Sequence, residues 1–84
     1  MRMVEGAAVA AAFNATKTLL PGRNGQFAVL TPEKREEFIS SLTSGAEDSF
    51  AKWLRFFLLH HDGGANLTMA DIRTAVAKAE DKIG

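Results

Sequence analysis

The sequence predicts an all-α fold, a small bundle of four helices joined by short loops. Apolar residues recur at the three- and four-residue spacing of amphipathic helices along most of the 84-residue chain. Glycine, proline and small polar residues interrupt this spacing at "LPGRNG", "TSGAED" and "DGGAN". These interruptions separate four helical segments, which we expect to form a single helical domain over residues 1–84.

The first helix is predicted over residues 3–19, where alanine, the best helix former, is frequent. Successive residues project about 100° apart on a helix, which gives this segment two apolar faces. The bulky face carries Val9, Phe13 and Leu20, and the smooth face carries Val4, Ala8, Ala11, Ala15 and Leu19. We expect such a helix to be buried on both sides. The "QFAVL" segment that follows could be a short strand or an extended link.

Capping residues mark the starts of the second and fourth helices. Thr31 is a favourable N-cap, and Pro32 suits the first position of a helix. The buried stripe of this second helix is expected to be Phe38, Ile39 and Leu42. Thr68 caps the fourth helix, and Asp71 complements the dipole of its first turn. The apolar stripe of the fourth helix is Ile72, Val76, Ala79 and Ile83.

The third helix, about residues 45–61, is expected to carry most of the core. Ser44 and Glu47 have the spacing of a capping box at its start. Its apolar residues follow the spacing of an amphipathic helix: Phe50, Trp53, Leu54, Phe57 and Leu58.

Phe56 and Leu59 depart from this pattern. They point to the side that is otherwise polar through Asp48, Lys52 and Arg55. Exposed apolar surface on a small protein usually marks an interaction site, so we expect a protein partner or a second copy of the chain to bind there. The predicted partner-binding residues are Lys52, Arg55, Phe56, Leu59 and His60. Alternatively, the two-faced first helix packs over Phe56 and Leu59.

Two adjacent histidines end the third helix in "FFLLHHDGG". His61 projects into the middle of the apolar arc, and His60 lies at its edge. Neighbours on a helix point about 100° apart, so the two imidazoles are poorly placed to share one metal ion. Histidine in a last turn interacts well with the helix dipole and can bond the terminal carbonyls. We therefore expect these histidines to cap the helix, with no metal or catalytic role.

The segment "HHDGGANLTMAD" lies between two predicted helices and resembles the loop of the calcium-binding EF-hand family. Leu67 falls on the central apolar position of that loop, and Asp71 falls on its last position. In "LPGRNGQFAVLT", Phe27 takes the equivalent apolar position 40 residues upstream. The resemblance implies two helix-loop-helix units whose apolar residues meet across the loops. Calcium requires about six to eight oxygen ligands, so these carboxylate-poor loops are not expected to bind it.

The tripeptide Asp48-Ser49-Phe50 resembles the Asp-Ser-Leu motif of acyl carrier proteins. That resemblance implies a phosphopantetheine arm on Ser49. The chain departs from the acidic character of that family, because its ten acidic residues are matched by ten basic residues. Ser49 also falls inside the first turn of a capped helix, where an exposed serine with no attached group is the simpler expectation.

The composition argues against several functions. The chain has no cysteine, which excludes disulfides, thiolate metal sites and cysteine catalysis. Its balanced charges form no basic stripe for nucleic acid. The apolar run "GAAVAAAF" is too short to cross a membrane and makes a poor secretion signal, so we expect a cytoplasmic protein.

Enzymatic activity is not expected either. The sequence has no glycine-rich phosphate loop and no nucleophile motif, and a bundle of this size leaves little room for a substrate pocket. The prediction is a non-enzymatic interaction protein without a cofactor, serving as a regulator, inhibitor or assembly component. The alternative is a degenerate EF-hand-like or acyl-carrier-like module.

Overall fold

The computed structural model describes residues 5–22, 25–44, 48–61 and 67–83. These ranges contain four α-helices and one antiparallel pair of strands. In chain order they are α1 (Gly6–Thr16), β1 (Thr18–Gly22), β2 (Gly25–Val29), α2 (Pro32–Thr43), α3 (Asp48–His60) and α4 (Met69–Ile83). The prediction of a small, mainly helical fold is confirmed. The prediction that it is purely α-helical is wrong, because a β-hairpin separates α1 from α2.

The hairpin takes up residues that the sequence pattern assigned to the end of the first helix. Helix α1 ends at Thr16, and β1 pairs with β2 so that Leu20 lies opposite Phe27. Pro21 disfavours helical geometry in the residue before it, which favours the extended conformation. Gly25 adopts φ 112°, a backbone angle that other residues rarely reach. Most of "QFAVL" therefore forms a strand, which was one of the two predicted alternatives; the other was an extended link.

Gly25→Ala is expected to lower the free energy of unfolding by about 1–2 kcal/mol, because an L side chain strains this backbone angle. Gly6→Ala is a matched control, since Gly6 opens α1 and a Cβ there would meet nothing within 4 Å. That substitution should be neutral or slightly stabilising. Urea unfolding of both variants measures the difference, and equal effects would contradict the role assigned to Gly25.

Helix α1 is buried on one side only. Val9 and Phe13 from the predicted bulky face lie in the core, at 3% and 5% exposure. The prediction of burial on both sides is wrong, because the smooth face is exposed at Ala8, Ala11 and Ala15. The helices that pack on α1 are α2 and α4, and its bulky face lies in the core that they share. The smooth face points away from that core and is left to solvent.

The other helices begin and pack largely as predicted. Thr31 caps α2 by accepting a hydrogen bond from the Lys34 N–H at 3.5 Å. At α4, the Thr68 N–H donates to Asp71 Oδ2 at 3.1 Å and the Asp71 N–H points back to Thr68 Oγ1 at 3.4 Å, which makes a capping box. The predicted stripes of α2 and α4 are buried except at their half-buried ends, Leu42 and Ile83. Glu47, proposed to cap α3, lies outside the described residues.

A single antiparallel bridge joins the linker before α2 to the linker before α4. The Leu30 N–H donates to the Leu67 carbonyl at 3.1 Å, and both side chains are completely buried. The EF-hand comparison predicted that Phe27 would lie opposite Leu67, and this is wrong. The residue that pairs with Leu67 is Leu30, three residues further along the chain. Phe27 is paired within the hairpin and 46% exposed, so the chain continues to Leu30 before it enters the core.

Helices α3 and α4 pack against each other in antiparallel directions. His61, just after α3, contacts Asp71 in the first turn of α4, while Trp53 contacts Lys82 in the last turn of α4. The buried core draws on all four helices and on the bridge residues, including Phe13, Leu30, Phe38, Leu54, Leu67 and Ile72. The outer side of α3 is left uncovered next to this core.

Candidate protein interface on helix α3

Four ring side chains lie side by side along α3 and form the aromatic strip: Trp53, Phe56, Phe57 and His60. Their spacing of three and four residues brings them onto neighbouring positions of one helix. Phe56 packs edge-on against Trp53 at 5.6 Å between ring centroids and stacks on the His60 imidazole at 4.6 Å. Trp53 and Phe57 are half-buried against the core, whereas Phe56 remains 43% exposed. The strip thus runs from the core to solvent.

The predicted partner-binding residues are all exposed on α3. Phe56 and His60 belong to the aromatic strip. Leu59 is 51% exposed and projects about 60° from Phe56, on the far side of Lys52. Arg55 is directed to α2 instead, with its Nε 3.3 Å from Glu36 Oε1. The alternative in which α1 covers Phe56 and Leu59 is wrong, because both side chains are open to solvent.

An open groove of about 270 Å³ runs beside the strip, between α3 and α4. Its α3 side includes Phe57, His60 and His61, and its α4 side includes Asp71, Ala75 and Lys78. The sequence predicted little room for a substrate pocket of the usual few hundred Å³, and the volume of this open groove lies just below that range. The small Ala75 side chain lies in the α4 wall and leaves space there that a larger residue would fill.

His61 ties the end of α3 to the start of α4. Its Nε2 donates to Asp71 Oδ1 at 2.9 Å, and its side chain is 46% exposed. The prediction that His61 projects into the core is wrong, because α3 ends at His60 and the His61 side chain contacts Asp71 at the surface. Among the described residues, neither His60 nor His61 bonds a carbonyl of α3: His60 stacks on Phe56, and His61 reaches across to α4. Asp62 lies outside the described residues.

Hydrogen bonding holds the pKa of Asp71 below its ordinary value of 3.8. The largest cause is the Thr68 backbone N–H, and partial burial acts in the opposite direction. The Thr68 hydroxyl and His61 add smaller contributions that also favour the carboxylate. The ionised carboxylate therefore stabilises both the cap of α4 and the contact with the end of α3.

Asp71 is expected to make stability depend on acid pH. Its folded-state pKa lies below 3.8, so its contribution is present above about pH 4 and is lost as the pH falls through the folded-state pKa. Asp71→Asn should cost about 0.5–1 kcal/mol at pH 7 and flatten the fall in melting temperature below pH 4. Asp81→Asn, at an exposed position of the same helix, is the control. A melting curve for Asp71→Asn that parallels the wild type at every pH would contradict this role.

Sequence reasoning missed the contribution of α4 to this surface. Lys82 Nζ lies 5.6 Å from the centroid of the Trp53 ring, which is a cation–π contact, and Lys78 lines the groove. The four-residue spacing of Lys78 and Lys82 beside the apolar stripe of α4 was the available signal. Trp53 and Phe57 were assigned wholly to the core, but the structure makes them the inner edge of the strip.

Three other features were considered from the sequence: a metal site, a membrane-spanning helix and a modified Ser49. No three carboxylate or histidine side chains within the described ranges lie close enough to hold a metal ion. None of the helices in the part of the chain that the structure describes is long and apolar enough to cross a bilayer. Ser49 is exposed in the first turn of α3, as expected for a serine there.

No protein-family model, characterised protein or solved structure matches this chain. Its function is therefore inferred from the geometry of the surface alone.

Proposed function

We propose that the chain is a non-enzymatic, cytoplasmic protein-interaction module that acts as a regulator, inhibitor or assembly component. It binds a partner protein or a second copy of itself through the aromatic strip and the neighbouring Leu59. The observation that carries the proposal is the exposure of two large apolar side chains on one helix, 43% at Phe56 and 51% at Leu59. Aromatic side chains are the usual anchors of protein interfaces.

The internal contacts of the strip suit it to binding. The Phe56 ring is held between Trp53 and His60, so a partner immobilises it at a small entropic cost. Full burial of a Phe or Leu side chain contributes about 1.5–3 kcal/mol, and roughly half of that surface is still available at Phe56 and Leu59. The adjoining groove offers further apolar contact along Phe57 and Ala75.

The double substitution Phe56→Glu with Leu59→Lys tests this proposal. We expect a folded helical protein that has lost self-association or partner binding, because charge replaces the apolar anchors. Ala8→Glu with Ala11→Lys is the matched control, since it places the same two charges on the exposed side of α1. Circular dichroism reports folding, while sedimentation and affinity capture from the native host report binding.

Two outcomes would contradict the proposal. Loss of the helical signal in the double variant would show that Phe56 and Leu59 belong to the core. Unchanged binding by a folded double variant would show that the interface lies elsewhere.

A second candidate function is an EF-hand-like ligand module. The bridge between Leu30 and Leu67 favours it, because the bridge joins two helix-linker-helix units across their linkers. A calcium-dependent rise in melting temperature would support this candidate, and the first proposal expects no such rise. The acyl-carrier alternative is tested by the intact mass of protein from its native host, which would include a phosphopantetheine group on Ser49.

A further inference from the structure

Lysines border the aromatic strip on both sides. On α3, Lys52 lies one turn before Phe56 and is exposed. On α4, Lys78 lines the groove and Lys82 lies over the Trp53 ring. Lys78 and Lys82 are four residues apart, so they repeat on one side of α4 at about 6 Å along its axis. An apolar strip on one helix thus runs beside a row of cations on the next.

None of the lysines Lys52, Lys78 and Lys82 is in an ion pair with a carboxylate of the described residues. Asp71 is the acidic residue of the groove, and it is already bonded to Thr68 and His61. Two exposed carboxylates also lie near the lysines: Asp81 is three residues after Lys78, and Asp48 is one turn before Lys52. The chain has a formal net charge of zero, and the basic border of the strip consists of these three lysines.

We infer that this surface takes an acidic amphipathic helix from a partner protein, an inference that rests on the proposed function. The helix lies along the groove between α3 and α4. Its apolar residues contact Phe56, Phe57 and Trp53, and its carboxylates one turn apart face Lys78 and Lys82. An apolar groove is a common receptor for the apolar face of an amphipathic helix. The basic border selects the charge of that helix.

A second copy of the chain fits this surface less well. In a symmetric dimer the same patch meets itself, and lysines border the strip on both sides, so lysines of one copy would face lysines of the other. Like charges facing each other across an interface are unfavourable. The glutamate-bearing helix of this chain, α2, cannot supply the apolar anchors either, because Phe38 and Ile39 are completely buried in its own core.

A pair of synthetic helical peptides tests the inference. Both carry Leu and Phe anchors at i, i+3, i+4 and i+7 and no tryptophan; one has glutamate on its flanks and the other has lysine. Trp53 is the chain's single tryptophan, so its fluorescence reports binding at the strip directly. We expect the acidic peptide to bind about ten-fold more tightly than the basic one at low salt, from two weakly screened ion pairs. This preference should shrink as the salt concentration rises.

Charge reversal supplies the matched variants. Lys78→Glu with Lys82→Glu should invert the preference, so that the basic peptide binds more tightly. Arg73→Glu makes the same kind of change at an exposed position of α4 outside the groove and should leave the preference intact. Circular dichroism checks that each variant is folded.

Three results would overturn the inference. Equal binding of the two peptides, unaffected by the lysine substitutions, would leave an apolar docking surface with no charge selection. Binding of neither peptide would exclude an amphipathic helix as the occupant, while the assay of Phe56→Glu with Leu59→Lys would still decide the proposed function. A tight dimer that Lys78→Glu with Lys82→Glu leaves intact would make a second copy the occupant.

Discussion

Phe38→Ala is expected to destabilise the fold by about 3–5 kcal/mol, a large part of the total stability of so small a domain. Phe38 is completely buried in the shared core, so its removal leaves a cavity among residues from several helices. Phe56→Ala removes the same ring from the outer face of α3, where 43% of the side chain is already exposed. That substitution should cost less than about 1 kcal/mol.

Urea unfolding of the two variants measures this contrast on one scale. The chemistry of the substitution is identical, so the difference in free energy isolates the difference in burial. Similar costs at Phe38 and Phe56 would contradict the structure, since they would mean that both rings are part of the core.

Leu30→Ala and Leu67→Ala are each expected to cost about 2–5 kcal/mol. The two side chains are completely buried where the linkers form their bridge, and both belong to the core cluster. Phe27→Ala should cost much less, because 46% of that ring is exposed on the hairpin. Thermal unfolding followed by circular dichroism would distinguish the positions.

The comparison also tests the register of the two linkers. If Phe27→Ala proved as costly as Leu67→Ala while Leu30→Ala were tolerated, the pairing of Leu30 with Leu67 would be wrong. If Leu30 and Leu67 pack against each other, the loss of unfolding free energy in the double variant Leu30→Ala with Leu67→Ala should differ from the sum of the losses in the two single variants. The effects of substitutions at contacting residues are not additive.

The helices were predictable where a local signal coincided with tertiary packing. Thr31 and Pro32 define the start of α2 through their own backbone and side-chain chemistry, which acts within one turn. The stripe of α4 was also predictable, because Ile72, Val76 and Ala79 recur at helical spacing and all face the core.

The hairpin was less predictable because two local preferences compete there. The alanine-rich pattern favours a helix that continues through Leu19, while Pro21 and the Gly25 turn favour extended strands. Pairing of β1 with β2 decides the outcome, and periodicity cannot show that long-range contact. Periodicity also cannot show how many helices the fold packs around α1. The exposure of its smooth face was therefore not predictable from the sequence.

The candidate site was predicted in part for a similar reason. Phe56 and Leu59 were recognisable because they break the apolar pattern of α3, and the structure confirms their exposure. The lysines of α4 share one side of the helix by their four-residue spacing, but only the packing of α4 beside α3 brings Lys82 to Trp53 and Lys78 to the groove. Their role in binding remains a prediction.

Site-specific photocrosslinking in the native host tests the central claim most directly. A photoreactive phenylalanine analogue replaces Phe56 in one variant and Ala11, on the exposed side of α1, in a control variant. If the aromatic strip is the docking surface, position 56 forms a discrete adduct of defined mass that position 11 does not form, and Lys78→Glu with Lys82→Glu weakens it. No adduct at position 56 above that of position 11, in a variant that folds normally, would contradict the claim.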